Sequence, residues 1–382
     1  MTTDLITELH GLPPDTVETL REFAQAAAKG GLAPKTIAAL KSDGRIFAGW
    51  CRDQGVTWLP ATPQTVAGFV AAMAAQGRAP ATVQRYLASI ALWHSAAELA
   101  NPCAALLVKM ARKAHLRAVN KRQKQAAPLG EAEVSALEER LVLPAADPDA
   151  RLAALRDRAL LRVAHDTLGR ASELVALRWE DLAIDPDGDG TVLIRRSKTD
   201  QEGEGRVRWI DRATVAALNK WRKAHDAELA RRAAAEAARI AALHAQRFPG
   251  SRWPQGRTRL NPVREPVPLE WIASPYLFRG LAPHHGAGRS LGWSLQLSPA
   301  SVSRIIKRRM AEAGFDPRGY SAHSTRVGKL QDLLAEGVDL LGAMDAGGWK
   351  SPAMPARYGE NILAARGAVA RMHKKRRGEE GG

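Results

Sequence analysis

Leu168-Gly169-Arg170-Ala171-Ser172-Glu173-Leu174-Val175-Ala176-Leu177-Arg178-Trp179-Glu180-Asp181-Leu182 is the stretch on which the fold turns. A glycine turn delivers Arg170 to the start of an apolar helical run. Arg170 and Glu173 stand three apart, so the carboxylate can orient the guanidinium or share its helix face. Upstream, Asp149 to Leu168 reads as a helix whose Leu152, Leu155, Leu160, Leu161 and Val163 make a strongly apolar face. A shorter helix from Glu131 to about Arg140 precedes it. Downstream, Thr191 to Arg196 and Arg206 to Ile210 alternate like strands around a polar, Gly-containing turn from Thr199 to Gly205. Lys198 therefore sits at a hairpin tip. Ala213 to about Gln246 is Ala-rich and helical, and Phe248 to Pro275 has no periodicity and reads as an irregular insertion. Pro299 to Gly314 is again an amphipathic helix. The expected fold is mainly α with a small antiparallel β-sheet.

The N-terminal half reads differently. From Asp15 to about His115 it forms five helices with apolar stripes, separated at Gly30-Gly31, Thr62-Pro63, Gly77, Ala79-Pro80 and Asn101-Pro102. Its aromatic and large apolar residues, Phe47, Trp50, Phe69, Tyr86, Leu87, Ile90 and Trp93, recur at helical spacing and are expected in the core. Lys109, Arg112, Lys113, Arg117, Lys121, Arg122 and Lys124 follow with no Asp or Glu among them. A run of one sign repels itself unless an anion lies against it, so DNA-backbone contact is expected, with a solvated face as the alternative. The chain thus divides into residues 1–124, a linker at 125–130, and residues 131–382.

A chain of 382 residues with 45% hydrophobic content is long enough for two cored domains. Its net charge of +16 points to a polyanionic partner, nucleic acid first. An anionic membrane would need a sustained basic amphipathic helix, and that signal is weak. With no run of eighteen apolar residues and no secretory signal pattern, the protein is expected in the cytoplasm, associated with the nucleoid. Cys51 and Cys103 are too few for a disulfide framework or a four-cysteine zinc site and are expected to be small buried thiols. No metal or cofactor is expected.

The remaining chemistry lies between His323 and Tyr358. His323-Ser-Thr-Arg326-Val-Gly328 places an imidazole and a guanidinium three apart on a helix that Ser321 can cap. Gly347-Gly348-Trp349 and Tyr358 follow. Of the four tyrosines (Tyr86, Tyr276, Tyr320 and Tyr358), only Tyr358 keeps this company, with Tyr320 its nearest competitor as a nucleophile.

These segments together resemble the tyrosine recombinases, the phage integrase family, and within it the Cre-like subgroup. Arg170 to Asp181 matches the family's first arginine segment, Lys198 its hairpin lysine, and His323 and Arg326 its His-x-x-Arg. Trp349 stands where many integrases have histidine, and Tyr358 matches the nucleophile. The resemblance spans most of residues 150–372 and, more loosely, the N-terminal half. It implies a two-domain, C-shaped DNA clamp, with a helical, SAM-like core-binding domain and a catalytic domain. It implies a site-specific recombinase that cleaves and rejoins duplex DNA through a 3′-phosphotyrosyl intermediate and a Holliday junction, without metal or ATP.

In that reading Arg170 and Arg326 clamp the phosphate, with Glu173 beside Arg170. His323 and Trp349 donate N–H groups, Lys198 is the general acid, and Tyr358 attacks. The implied partner is double-stranded DNA with inverted-repeat sites. The assembly on paired sites is a homotetramer, formed from monomers or weak oligomers, with a C-terminal helix at about 360–372 docked into a neighbouring subunit or packed on its own domain. The segment between Lys198 and His323 is longer than the Cre-like pattern, with the excess at about 227–275. Two alternatives stay open: a telomere resolvase or type IB topoisomerase, and a non-catalytic DNA-binding architectural protein.

Overall fold

The structure is a computed structural model that describes residues 12–119, 124–141, 143, 147–197, 200, 202–247, 274–281 and 296–377, though not the side chains of 236, 240 and 244–247. Two compact units divide the chain, Met1–Gln123 and Lys124–Gly382. Among the described residues no helix is long and apolar enough to cross a membrane.

The first unit holds α1 (Pro14–Ala26), α2 (Pro34–Asp53), α3 (Pro63–Ala75), α4 (Pro80–Ala96) and α5 (Leu106–Val119). The breaks work as their residues predict. Thr62 Oγ1 accepts the Thr65 N–H at 3.1 Å, while Pro34, Pro63 and Pro80 occupy first-turn positions that have no N–H to satisfy. Gly30 and Gly77 take positive φ (112° and 72°) where the chain leaves α1 and α3. Phe47 and Trp50 meet Phe69 edge to face at 5.0 and 5.5 Å between ring centroids, in a core with Tyr86, Leu87 and Ile90. Trp93 joins Leu20 and Leu40 in a second cluster. Cys51 is buried and Cys103 partly so. Burial pushes their thiols up to about 12 and about 11, leaving both inert as nucleophiles.

The second unit is built around α7 (Pro148–Thr167), which lies between α6 (Glu131–Arg140), the sheet and α9 (Arg212–Arg247). Asp147 caps α7 by accepting the Asp149 and Ala150 N–H groups at 3.0 Å. One face of α7 carries Leu152, Leu155, Leu160, Leu161 and Val163 into the core. Asp157, fully buried on α7, accepts from Arg156 (2.9 Å), Arg308 (2.5 Å) and Arg309 (2.9 Å), which ties α7 to α10 (Pro299–Glu312). The short α8 (Ala171–Leu174) leads to an antiparallel sheet in the order β1 (Leu182–Ile184), β2 (Gly190–Ile194), β3 (Arg206–Ile210). After α10 come α11 (Ser324–Ala335), α12 (Leu340–Gly347), α13 (Ala353–Tyr358), α14 (Glu360–Ala365) and α15 (Ala368–Arg376).

Several expectations change. The sheet has a third strand, β1, too short for its alternation to register, although Asp187-Gly188 marks the turn that pairs it with β2. Residues 125–130 are not a free linker: Leu129 is 0% exposed, and Ala127 and Leu129 donate backbone N–H bonds to the carbonyls of Gly319 and Ser324 at 2.9 Å. Apolar burial and backbone pairing seat the segment on the second unit. Ser321 does not cap α11. His323 occupies that position, and the Ser321 hydroxyl accepts the His323 N–H at 3.2 Å. The stretch at 360–372 is two helices broken at Arg366-Gly367. Its first part packs on its own unit through Ile362 and Leu363, while Arg366 donates to the carbonyls of Leu334 and Ala335 at the end of α11. The irregular stretch at 248–273 lies outside the described residues.

Candidate active site

Arg326 is the centre of the arrangement. It sits in the first turn of α11, 4% exposed, and donates to the carbonyl of Leu168 and, at 2.9 Å, to that of Gly347. Both acceptors lie at helix ends. Leu168 closes α7 in the left-handed conformation (φ 48°), and Gly347 ends α12. Two orphan carbonyls thus hold one guanidinium. Burial, with repulsion from Arg170, pulls Arg326 down to about 10, Glu173 and Tyr358 acting against that, so it remains a cation near neutral pH.

Arg170 lines the same cavity. It is the N-cap of α8, and its guanidinium meets Glu173 Oε1 at 2.7 Å while Glu173 Oε2 accepts the Arg170 N–H at 2.8 Å. The buried Glu173 therefore fixes both ends of Arg170, as the three-residue spacing suggests. The Trp349 ring lies beneath Arg326, 4.4 Å from Cζ to the ring centroid. Tyr358 stands edge-on to Trp349 with centroids 6.3 Å apart. Arg326, Trp349 and Tyr358 thus form one contiguous stack.

The close approaches explain the glycines of these motifs. A Cβ on Gly328 would lie 2.1 Å from the backbone of Leu129, which crosses α11 there. One on Gly359 would meet Leu334 at 2.1 Å. The backbone beside Tyr358 is pinned as well, with Gln331 donating to the Tyr358 carbonyl and Gln125 to that of Arg357, both at 2.9 Å.

Other expected site residues are less closely gathered. His323 is exposed at the N-cap of α11, three residues before Arg326, and is not among the residues lining the cavity. Lys198 lies outside the described residues. Its flanking residues Ser197 and Asp200 line the cavity and pair with each other through backbone bonds of 3.2 and 3.3 Å. Lys109, Arg112, Lys113 and Arg117 are exposed on α5, and Lys124 is exposed at the start of the second unit; Lys121 and Arg122 are outside the described residues. Tyr320 packs against Phe315, centroids 6.4 Å apart, and burial raises its phenol pKa, in keeping with a structural role.

Two cavity residues escape motif reading. Arg206 and Arg208 on β3 join Arg170 and Arg326 in the lining. The signal was present in Arg206-Val-Arg-Trp-Ile210, where charged residues fall on the alternation of the buried Ile210. The cavity therefore collects four guanidinium groups. Such a site suits an anion that carries several oxygens, and a phenol stands one ring away.

The model of the phage integrase family matches residues 138–362, more than half of the chain. An integrase/recombinase named as a XerD homologue, from Selenomonas ruminantium, is 28% identical over 353 residues, covering 90% of this chain and 86% of its own. The recombinase Cre of Escherichia phage P1 is 23% identical over 332 residues, 86% and 84% of the two chains. Among solved structures, the Tn1549 transposon integrase in complex with transposon right end DNA shares the fold, with a TM-score of 0.51 at 13% identity over 92% of this chain and 98% of that one.

Proposed function

The chain belongs to the phage integrase family, and from that membership we infer that it is a tyrosine-type site-specific DNA recombinase. The topoisomerase, telomere-resolvase and architectural readings are not favoured by these relatives. The observation that carries the residue roles is the Arg326–Trp349–Tyr358 stack beside Arg170.

In this proposal the Tyr358 oxygen attacks a DNA phosphorus, a 3′-phosphotyrosyl bond forms, and the bond to the 5′ oxygen breaks. Negative charge grows on the non-bridging oxygens, and Arg170 and Arg326 donate to them. Glu173 keeps Arg170 in place. His323 accepts the phenol proton, because free phenols lose theirs only near about pH 10 and an attack at neutral pH calls for a base. Lys198 protonates the departing 5′ oxygen. The phosphotyrosyl bond conserves the energy of the broken diester, so a 5′ hydroxyl of another strand reverses the attack without ATP. Two rounds of exchange pass through a Holliday junction.

The proposed assembly is a homotetramer on paired inverted-repeat sites. On α15, Val369 (70% exposed) and Met372 offer an apolar face for a neighbouring subunit. Lys109, Arg112, Lys113, Arg117 and Lys124 supply backbone contacts to the duplex, along with Lys121 and Arg122.

A nicked duplex containing the target site tests the reading. Wild type forms a covalent protein–DNA adduct that survives denaturation, and Tyr358→Phe forms none. Adduct formation by Tyr358→Phe, or its absence with wild type on a bound site, contradicts the assignment.

A further inference from the structure

The strand from Arg206 to Ile210 is inverted relative to an ordinary half-buried strand. Directly opposed residues of an antiparallel pair share a face, and the register sets Arg206 against Ile194 and Arg208 against Val192. The two arginines therefore share the side on which Val192, Ile194 and Ile210 are buried. The apolar residues Val207 and Trp209 face the other way, 63% and 55% exposed. Such an arrangement forfeits apolar burial and partly desolvates Arg208, so it needs a compensating gain.

The other cavity arginines have partners. Glu173 satisfies Arg170, carbonyls hold Arg326, and Arg206 lies 3.6 Å from Asp345. Arg208 is half-buried and has no hydrogen-bond or ion-pair partner among the described residues. Burial and repulsion from Arg206 and Arg170 act against its charge; Asp345 and Glu173 oppose this without pairing with it. Gly348, at φ +65°, keeps the space beside it open, since a Cβ there would stand 3.1 Å from Arg208 Nη2. A rigid strand thus holds an unsatisfied donor fork in the cavity of Arg170 and Arg326.

We propose that Arg208 is a third guanidinium donor to the scissile phosphodiester, acting with Arg170 and Arg326 on its non-bridging oxygens. The proposal rests on the recombinase reading and adds a catalytic residue to it. An incoming phosphate supplies an anion to these guanidinium groups, so their mutual repulsion is relieved as the substrate binds.

Selection from random-sequence duplexes with the Tyr358→Phe protein supplies a target site. Wild type maps the cleaved position, and the same duplex nicked beside that position traps the adduct. Arg208→Met is expected to slow adduct formation at least about tenfold while leaving Tm equal to or above that of wild type, since a like charge has been removed. A methylphosphonate at the scissile position carries no charge. On that substrate the gap between wild type and Arg208→Met shrinks to less than about threefold. Arg208→Gln, which keeps a polar side chain, carries the same ratio test should the Met variant lose its melting transition. Wild-type rates on the ordinary diester, or a deficit that persists undiminished on the methylphosphonate, overturn the role of Arg208. A protein that selects no site, or a wild type that forms no adduct, overturns the recombinase reading itself.

Discussion

Gly347 lets the Arg326–Trp349–Tyr358 stack close. A Cβ at this position would sit 1.8 Å from the Trp349 ring, and neither the ring nor the backbone can yield that far while Trp349 stays 4.4 Å from Arg326. Gly347→Ala is expected to cost about 1–3 kcal/mol through overpacking and to slow adduct formation at least about tenfold, because the indole leaves Arg326 and Tyr358. Calorimetry and the adduct assay check this; an alanine variant with unchanged Tm and rate would show that the indole has room. At this scale the sequence was uneven. Gly347-Gly348-Trp349 stands out as a motif, but the reason for its first glycine is that a ring two residues on fills the place a Cβ would take. Arg206 and Arg208 do not declare themselves in the sequence, because strand alternation says which residues share a face and the hairpin alone does not say that this face ends in the cavity.

Helix starts were legible because their signals are local. Thr62 before Pro63 does what its side chain predicts within one turn. Ser321 misleads for the same reason: a serine hydroxyl offers local bonds on both sides, and the chain chose a turn that puts His323 at the cap. Contacts between elements were not legible, and His165 is the clearest case. This buried imidazole on α7 has Asp332 of α11 at 3.3 Å, Asp166 at 3.6 Å and Glu131 of α6 at 3.7 Å. Burial and Lys329 oppose its charge, but the Asp166 carboxylate beside it and the hydrogen bond with Asp332 carry its pKa above the usual 6.5.

A raised folded-state pKa stabilises the fold fully below about pH 6.5, and this contribution is lost as pH rises through the folded value. Asp166 and Asp332 are lowered against their own burial, by the His165 imidazole first, so their contribution is present above the usual 3.8 and lost as pH falls through their folded values. Tm of the second unit should therefore be highest in mildly acidic buffer and decline by about 2–5 °C toward alkaline pH. In His165→Gln the alkaline decline should flatten. An unchanged slope would mean that the imidazole is neutral throughout.

For the whole molecule, charge is the property that needs no fold to be read. A net charge of +16 predicts DNA affinity that falls steeply with salt. Replacing Lys109, Arg112, Lys113 and Arg117 on α5 with Gln should reduce the slope of log affinity against log salt by about 2–4 and leave the preferred site unchanged, since phosphate contacts carry no sequence information. A slope equal to that of wild type in a salt titration would remove α5 from the DNA contacts.

By itself the sequence determined the mainly helical class, the helical first unit and the hairpin, and it singled out the residues that the proposal assigns as reacting groups. Periodicity, caps and motif spacing are properties of neighbouring residues, and they survive without knowledge of distant contacts. Only the tertiary structure decided that Leu168 and Gly347 hold Arg326, that Leu129 crosses Gly328, and that β3 turns two arginines into the cavity of Arg170. These are meetings between segments up to about two hundred residues apart, set by the packing of one core. The sharpest change concerns the stretch from Leu168 to Leu182: its first carbonyl is a partner of Arg326, so the turn that delivers Arg170 also anchors the second arginine of the site.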